Sequence, residues 1–178
     1  MQKEASAILP LAEVLYRLGK PAKAYSWLMK GAEAGDRQAM TLLGTASQEG
    51  IGTGPNPGAA KPWLTRAVTA GDNTAKAELS RLLFFGGKDR VGGLLVAGRW
   101  IAAEPGLPAP KEVLPRDVSA AMKLLQESAD AADPAGMLYM GVSLAARRPK
   151  GSLNWYRRSA EAGHPLGMHH LASALEQG

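Results

Sequence analysis

Residues 37–72 read RQAMTLLGTASQEGIGTGPNPGAAKPWLTRAVTAGD, and they form the clearest structural unit in the sequence. Its first part places Met40, Leu43 and Ala46 three residues apart, the spacing of one helix face. A run of Gly and Pro follows and turns the chain back, because Gly adopts left-handed backbone conformations at little cost. The remainder repeats the helical spacing of apolar residues around Trp63. The stretch therefore predicts a helix–turn–helix unit.

The end of this unit recurs along the chain. Segments of the same type are GAEAGD at 31–36, AVTAGD at 67–72, SADAAD at 128–133 and SAEAGH at 159–164. Their fifth positions are separated by 36, 61 and 31 residues. One period near 36 residues, expanded once by 25 and shortened once by 5, accounts for the series. Repeats of about 20–50 residues indicate a stacked array of supersecondary units.

Several positions recur together with this motif. The second unit follows the pattern A-x3-L-G-x5-G-x-G, then A-x2-W, then a small residue four positions before a final Gly. This pattern is similar to that of the Sel-one-like repeat (SLR) family, a TPR-like α-helical repeat. The positions that carry the resemblance are Trp27, Gly35, Gly44, Gly50, Gly52, Trp63, Gly71, Gly141, Trp155 and Gly163.

The resemblance implies one all-α domain over residues 1–178, a right-handed α/α superhelix (solenoid) of helix-turn-helix repeats. We expect its units at about 1–36, 37–72, 73–133 and 134–164, with a final half unit at 165–178. In this register the three tryptophans fall in the core between helices. The glycines of each unit fall at close helix contacts, at the turn, and at helix ends in left-handed conformation.

An insertion at 87–116 interrupts the third unit. Loops of this length inside a compact domain are uncommon and are either functional or disordered. The segment from Leu94 to Ala103 is too apolar for disorder, so we expect it to fold back on the solenoid, with a short extra helix there. Arg99 and Trp100 are types enriched at interface hot spots. Trp100 either contacts a partner or only fixes the insertion to the solenoid.

The composition excludes several classes of protein. Apolar residues make up 46% of the chain and aromatic residues 6%, and the abundance of Ala and Leu favours helix. The absence of Cys excludes disulfides, thiolate zinc sites and cysteine nucleophiles. No apolar run reaches the roughly 20 residues of a membrane span. The first residues lack a signal-peptide profile, and an export signal removed from the start is compatible with this, so the compartment stays open between bacterial cytoplasm and periplasm.

Glycine and serine motifs that suggest catalysis lack their structural context. The glycines of 50–54 have neither the preceding strand of a dinucleotide site nor the following Lys-Ser or Lys-Thr of a phosphate-binding loop. They fall where the repeat needs its turn. Ser143 lies in a G-x-S segment in mid-helix, where its hydroxyl is not presented as in a nucleophile elbow. We therefore predict no enzymatic activity, no cofactor and no small-molecule substrate.

Three histidines lie close together in the sequence, His164, His169 and His170. Helical metal sites favour ligands four residues apart on one face. Offsets of one and five place these side chains on different faces, and no carboxylate adjoins them. They predict surface or packing roles and no metal site.

The charge distribution has one local bias. The net charge is +5 and the isoelectric point is near 9.6, yet residues 134–160 contain no acidic side chain. This segment could be a solvated face, a surface for an acidic protein, or a nucleic-acid site. Because Trp155 and Tyr156 fill core positions of the repeat and are not free to stack on bases, nucleic acid is the weakest of the three. The basic residues of this segment are Arg147, Arg148, Lys150, Arg157 and Arg158.

The resemblance implies a non-enzymatic scaffold or adaptor that binds another protein through its concave surface and the 87–116 insertion. The alternative is a bacterial immunity protein that neutralises a secreted toxin by direct binding. An enzyme would need a polar constellation that the sequence lacks. The candidate partner-binding residues are Arg99, Trp100, Arg147, Arg148, Arg157 and Arg158.

Overall fold

The computed structural model describes residues 2–88, 93–96, 99–103, 105–110, 113–145 and 148–176. The side chains of residues 2–6, 94, 96, 99, 100 and 149 are outside this description. Within it, nine helices and two strands follow in the order α1 (Gln2–Arg17), α2 (Pro21–Glu33), α3 (Arg37–Glu49), α4 (Pro57–Thr69), α5 (Asn73–Phe85), β1 (Gly93–Val96), β2 (Arg99–Ala102), α6 (Val118–Asp130), α7 (Pro134–Ala145), α8 (Pro149–Glu161) and α9 (Pro165–Glu176).

The helices pack in successive pairs. The closest neighbours are α1 with α2, α3 with α4, α5 with α6, and α7 with α8, and α9 packs on α8 and α7. The pairs stack through α2 on α3, α4 on α5, and α6 on α7. The predicted all-α architecture is confirmed, with the small sheet of the insertion as an addition in the described part of the chain.

The units are joined by helix caps that the sequence encodes. Asp36 and Asp72 accept hydrogen bonds from the backbone N–H three residues on, at 2.9 and 3.1 Å. Such caps satisfy an N–H that would otherwise lack a partner. Just before each cap the chain turns through a left-handed residue, with φ of 93° at Gly35 and 84° at Gly71. The equivalent residue of the third unit is Ala132, whose φ is 56° although it is not Gly.

Close helix contacts depend on two further glycines. A Cβ at Gly44 would lie 2.6 Å from Cγ of Leu64, and one at Gly141 would lie 2.6 Å from the ring of Tyr156. Leu64 is fully buried and Tyr156 is 5% exposed, so neither neighbour has open space to move into. Because Gly has no side chain, Gly44 lets α3 approach α4 closely, and Gly141 lets α7 approach α8 closely.

The tryptophans are less buried than the register predicts. Trp27 is 37% exposed, so its assignment to the core is wrong, and Trp63 and Trp155 are half-buried. Each ring is instead covered on one face by a cation one helical turn later. Lys30 lies 4.3 Å from the Trp27 centroid, and Arg66 and Arg158 lie 4.6 and 4.4 Å from the centroids of Trp63 and Trp155. The core is formed by smaller residues, with Leu28, Leu43, Leu64, Leu82 and Leu138 fully buried along the stack.

The insertion contains a β-hairpin where the sequence predicted a helix. Strands β1 and β2 are antiparallel, with Leu94 opposite Ile101. The predicted helix from Leu94 to Ala103 is therefore wrong. A short apolar run does not distinguish helix from strand by periodicity, and Gly98 in its middle disfavours helix. The insertion does fold back on the solenoid, as expected, because β1 contacts α3 and α1.

Candidate protein-binding surface

The first helices of successive units form a continuous layer. Helices α1, α3, α5, α7 and α9 each pack against the next member of this series. Consecutive second helices (α2, α4, α6 and α8) make no comparable contacts among the described residues. Because the first helices are closer together than the second helices, the stack curves toward the first-helix side. This concave surface is the face on which the sequence placed partner binding.

The hairpin lies on the N-terminal half of the concave surface. Strand β1 packs on α3 and α1, and Ile101 and Ala103 pack against the core cluster formed by α1 to α4. Leu95 of β1 adjoins Leu9 of α1, Leu42 of α3 and Thr74 of α5 around one hollow. The chain thus covers part of its own concave surface.

Beneath the hairpin is a cavity of about 180 Å³. Thr45, Glu78, Asp133 and His164 contribute polar atoms to its lining. Asp133 is satisfied, because it accepts hydrogen bonds from the Thr74 hydroxyl at 2.7 Å and from other donors nearby. Nδ1 of His164 is buried and has no hydrogen-bond partner among the described residues. Burial lowers the pKa of His164, although Glu78 and Asp133 oppose this shift.

A buried ionic cluster joins three first helices. Arg81 of α5 donates to Glu49 of α3 at 2.9 Å and to Glu78 of α5 at 3.0 Å. The Tyr139 hydroxyl of α7 donates to the second oxygen of Glu78 at 3.0 Å. Glu49 is fully buried and Arg81 is 2% exposed. These bonds fix the relative positions of α3, α5 and α7.

The charges within this cluster keep Arg81 protonated and the Tyr139 hydroxyl neutral. Burial alone disfavours the guanidinium charge, but Tyr139, Glu78 and Glu49 outweigh it and hold the pKa of Arg81 above its ordinary value. Burial, reinforced by Glu78, raises the pKa of Tyr139, which keeps its hydroxyl proton available for donation. Removing one partner would leave buried charge uncompensated, which is strongly destabilising.

The C-terminal half of the concave surface is uncovered in the described part of the chain. An apolar hollow of about 260 Å³ lies between α5, α7 and α9, over Leu125 of α6. Leu125 and Leu138 are buried at its base, and Phe84, Val142 and Leu166 are half-exposed around it. This hollow, defined by these five residues and their neighbours, has no acidic residue in its described lining, whereas Glu78 and Asp133 line the cavity under the hairpin.

The predicted partner-binding residues are placed at different sites. Arg99 and Trp100 belong to β2, and their side chains lie outside the described residues, as does Arg147 altogether. Arg148 is exposed beside α9, at the mouth of a groove that Lys150 also lines. Arg157 and Arg158 are exposed on the second helix α8, where Arg158 covers Trp155. Only Arg148 of the described candidates adjoins the uncovered half of the concave surface.

Local packing and hydrogen bonds account for the glycine, serine and histidine motifs noted in the sequence. Gly52 has a φ of 80°, and a Cβ there would lie 2.4 Å from the Pro21 carbonyl oxygen. The Ser143 hydroxyl donates to the Met140 carbonyl at 2.8 Å within α7. His170 stacks on Tyr156 with ring centroids 5.1 Å apart.

Among the described residues there is no cluster of three or more His, Cys, Asp or Glu suited to a metal ion. None of the described helices is long and apolar enough to cross a membrane.

The ionic cluster, the cavity under the hairpin and the apolar hollow were not predicted from the sequence. A weak signal for the ionic cluster existed, because Glu78 and Arg81 are separated by one helical turn on a face that also carries Leu82. Glu49 has no comparable signal, since its partner lies 32 residues away on another helix.

Comparisons with solved structures place this architecture among known folds. A putative Sel1 repeat protein from Klebsiella pneumoniae superposes with a TM-score of 0.65 at 19% identity, covering 98% of this chain and 76% of its own. A Sel1 repeat protein from Oxalobacter formigenes superposes with a TM-score of 0.58 at 20% identity, and the match covers 92% of this chain and 57% of that protein. The protective antigen c5321 of uropathogenic Escherichia coli, which displays an SLR fold, superposes with a TM-score of 0.59 at 19% identity. The match covers 97% of this chain and 34% of that protein. These likenesses show the solenoid fold.

Sequence comparisons identify the repeats themselves. A segment of 60 residues is 42% identical to the chitin synthase regulator SKT5 of Malassezia restricta, covering 34% of this chain but only 4% of the fungal protein. The Sel1 repeat profile matches residues 17–36, 37–72, 110–133 and 137–164, more than half of the chain. Sel1 repeats form a non-catalytic interaction fold, and proteins built from them typically act as protein-interaction adaptors. The chain belongs to the Sel1 repeat family.

Proposed function

We propose that this chain is a non-enzymatic adaptor that binds another protein through the concave surface of its first helices, and that the 87–116 insertion contributes to partner choice. The observation that carries the proposal is the position of the hairpin. Strand β1 lies on α3 and α1, so the insertion forms part of the concave surface beside the uncovered hollow of α5, α7 and α9.

The cluster of Glu49, Glu78, Arg81 and Tyr139 supports this role. It fixes three first helices relative to one another, so a partner meets a surface that is already formed. Preorganisation favours binding because less conformational freedom is lost on association. The fungal relative is named as a regulator of an enzyme, which is consistent with action through protein contacts. No described feature favours the immunity role over a general adaptor.

Site-specific photo-crosslinking tests this proposal. A benzophenone amino acid is introduced at Gln38 or Ser143 on the first helices, and at Thr65 or Asn154, exposed on the second helices, as matched controls. Each variant is irradiated in an extract of the source organism, and the adducts are identified by mass spectrometry. We expect one protein to be enriched at the first-helix positions. Equal adducts at all four positions, or enrichment at Thr65 and Asn154 alone, would contradict the proposal.

Partner choice by the insertion has a separate test. The hairpin residues 93–102 are replaced by a Gly-Ser linker of equal length, and the crosslinking is repeated from Ser143. We expect the identity or the yield of the adduct to change while the helical circular dichroism spectrum is retained. An unchanged adduct in a folded variant would show that the insertion has no part in selection.

A further inference from the structure

The apolar hollow has the size and lining of a side-chain pocket. It measures about 260 Å³ and is lined mostly by apolar side chains, including Phe84, Phe85, Leu138 and Leu166. An apolar cavity of roughly 150 Å³ is large enough to hold benzene. The hollow can therefore hold a large aliphatic or aromatic side chain, and most of its polar atoms are already engaged, as in Arg81, which is paired with Glu49 and Glu78.

A basic groove adjoins the hollow. This groove lies between the start of α8 and helix α9, and it is lined by Arg148, Lys150 and Ser173, among others. His170 lines both the hollow and the groove, so the two lie on either side of one side chain. Arg148 and Lys150 are exposed and form no ion pair with any described residue. Their charges are available to a ligand in the groove.

A third cation adjoins the hollow. Nε of Arg116 donates to the Phe84 carbonyl oxygen at 2.6 Å, and its guanidinium lies 5.7 Å from the centroid of the Phe84 ring. Arg116 is exposed, so its remaining N–H groups face solvent. Among the described residues that line the hollow and the groove, none is acidic. The combined site is therefore apolar at its centre and positive at its margins.

We infer that this combined site binds an acidic segment of a partner protein, with one large apolar side chain in the hollow and flanking carboxylates against Arg148, Lys150 and Arg116. The inference rests on the proposed adaptor function and assigns a partner chemistry to the uncovered half of the concave surface. Hot-spot binding of this kind joins a buried apolar anchor to a charged rim. Charge complementarity at the rim sets specificity and the association rate.

The alternative of nucleic acid fits the site less well. Sequence-tolerant binding of single strands needs aromatic faces on which bases stack. One face of Phe84 is covered by Arg116, and the ring of Tyr156 is stacked by His170 and is 5% exposed. The apolar base formed by Leu125 and Leu138 offers nothing to a phosphate or a sugar.

A peptide array tests the inference. The array carries ten-residue peptides with four Asp or Glu in every arrangement around one Leu, Phe, Trp or Met. Matched arrays replace the acids by Gln, or the apolar residue by Gly. We expect the fluorescently labelled protein to bind a subset of the acidic apolar peptides and to lose at least about tenfold in affinity when either feature is removed. No binding above the matched arrays would overturn the inference.

Variants locate the binding on the protein. The double change Arg148→Glu and Lys150→Glu affects exposed side chains only, so the fold is retained and circular dichroism checks this. We expect it to weaken the best peptide about tenfold or more, whereas the same reversal at Lys61 and Arg66 on α4 leaves binding unchanged. Val142→Trp, which narrows the hollow, should weaken the same peptide. Equal loss with both reversals, or tighter binding of a ten-nucleotide RNA than of any peptide, would overturn the inference.

Failure here is separable from failure of the adaptor function. Photo-crosslinking from Gln38 and Ser143 reports a concave-surface partner whatever its charge. A partner crosslinked there whose affinity is unchanged by Arg148→Glu and Lys150→Glu would leave the adaptor function intact and exclude the acidic segment.

Discussion

The two halves of the concave surface are built from the same kind of helix but differ in what covers them and in the charge around their cavities. Over α1 and α3 the surface is covered by the chain's own hairpin, and the cavity beneath the hairpin extends from α3 across α5 to Asp133 and His164. Over α5, α7 and α9 it is uncovered in the described residues and holds an apolar hollow with a basic margin. A repeat array can therefore become asymmetric through one insertion, and the asymmetry decides which half is free for a partner.

The boundary between the halves is the ionic cluster, and breaking it has the largest expected effect. Arg81→Leu removes the cation that compensates Glu49 and Glu78, and we expect it to lower the free energy of unfolding by about 3–5 kcal/mol. Urea denaturation measures the loss. Arg66→Leu, at an exposed arginine over a tryptophan, is the control and should cost about 1 kcal/mol or less. Equal losses in the two variants would mean that the cluster contributes little.

Weakening the contacts of the hairpin over the N-terminal half should reduce stability less, and the effect should be confined to the hairpin. Ile101→Ser weakens the packing of the hairpin on α1 to α4, and half-burial of the side chain suggests a cost of about 1–2 kcal/mol. Hydrogen exchange should accelerate in the amides of 93–102 and stay unchanged in α7. Ala102→Ser, at an exposed neighbour on the same strand, provides the control. Faster exchange throughout the solenoid would show that the hairpin is part of the global fold.

The helix ends allow a matched comparison between the halves. Ala132 adopts φ of 56° where Gly71 adopts 84°, and left-handed backbone costs a residue with a Cβ about 1–2 kcal/mol. We expect Ala132→Gly to stabilise the protein by about 1 kcal/mol and Gly71→Ala to destabilise it by a similar amount. A Cβ at Gly71 meets no atom within 4 Å, so conformation alone is tested. Thermal unfolding of both variants checks the opposite signs.

The smallest expected effect is a pH dependence of stability that arises from His164 in the cavity under the hairpin. Burial lowers the pKa of His164 below its ordinary value of 6.5, so the unfolded chain binds the proton more readily than the folded one. The contribution of His164 is therefore complete above pH 6.5 and is lost as the pH falls below that value. His164→Asn should reduce the fall in stability between pH 7 and pH 5. His170, whose pKa burial also lowers, retains its own part of this slope in the variant. An unchanged slope would exclude His164 as its source.

Local sequence features predicted the scaffold well. The capping aspartates, the glycines at helix ends and the apolar spacing act within a few residues, so a single sequence reveals them. The site was harder to predict because it depends on distant contacts. Glu49 gains its role from Arg81, 32 residues away, and the hairpin gains its position from α3 and α1, which precede it by more than 40 residues. Trp27 was misplaced, and Trp63 and Trp155 pack against the core but are only half-buried, because spacing shows which face a residue shares and does not show how deeply that face is covered.

The ionic cluster also bears on how the chain unfolds. In most repeat arrays each unit contacts only its neighbours, so terminal units can melt separately. Here too the bonds join neighbouring units, but Glu49 of α3 and Tyr139 of α7 bond to the same α5 pair, so both interfaces depend on one buried ionic cluster. Heat or a pulling force that separates one of these interfaces leaves buried charge with fewer partners at the other, which weakens that interface as well. We expect the middle of the solenoid to unfold in a single cooperative step, as a globular domain does, while α1 and α9 fray.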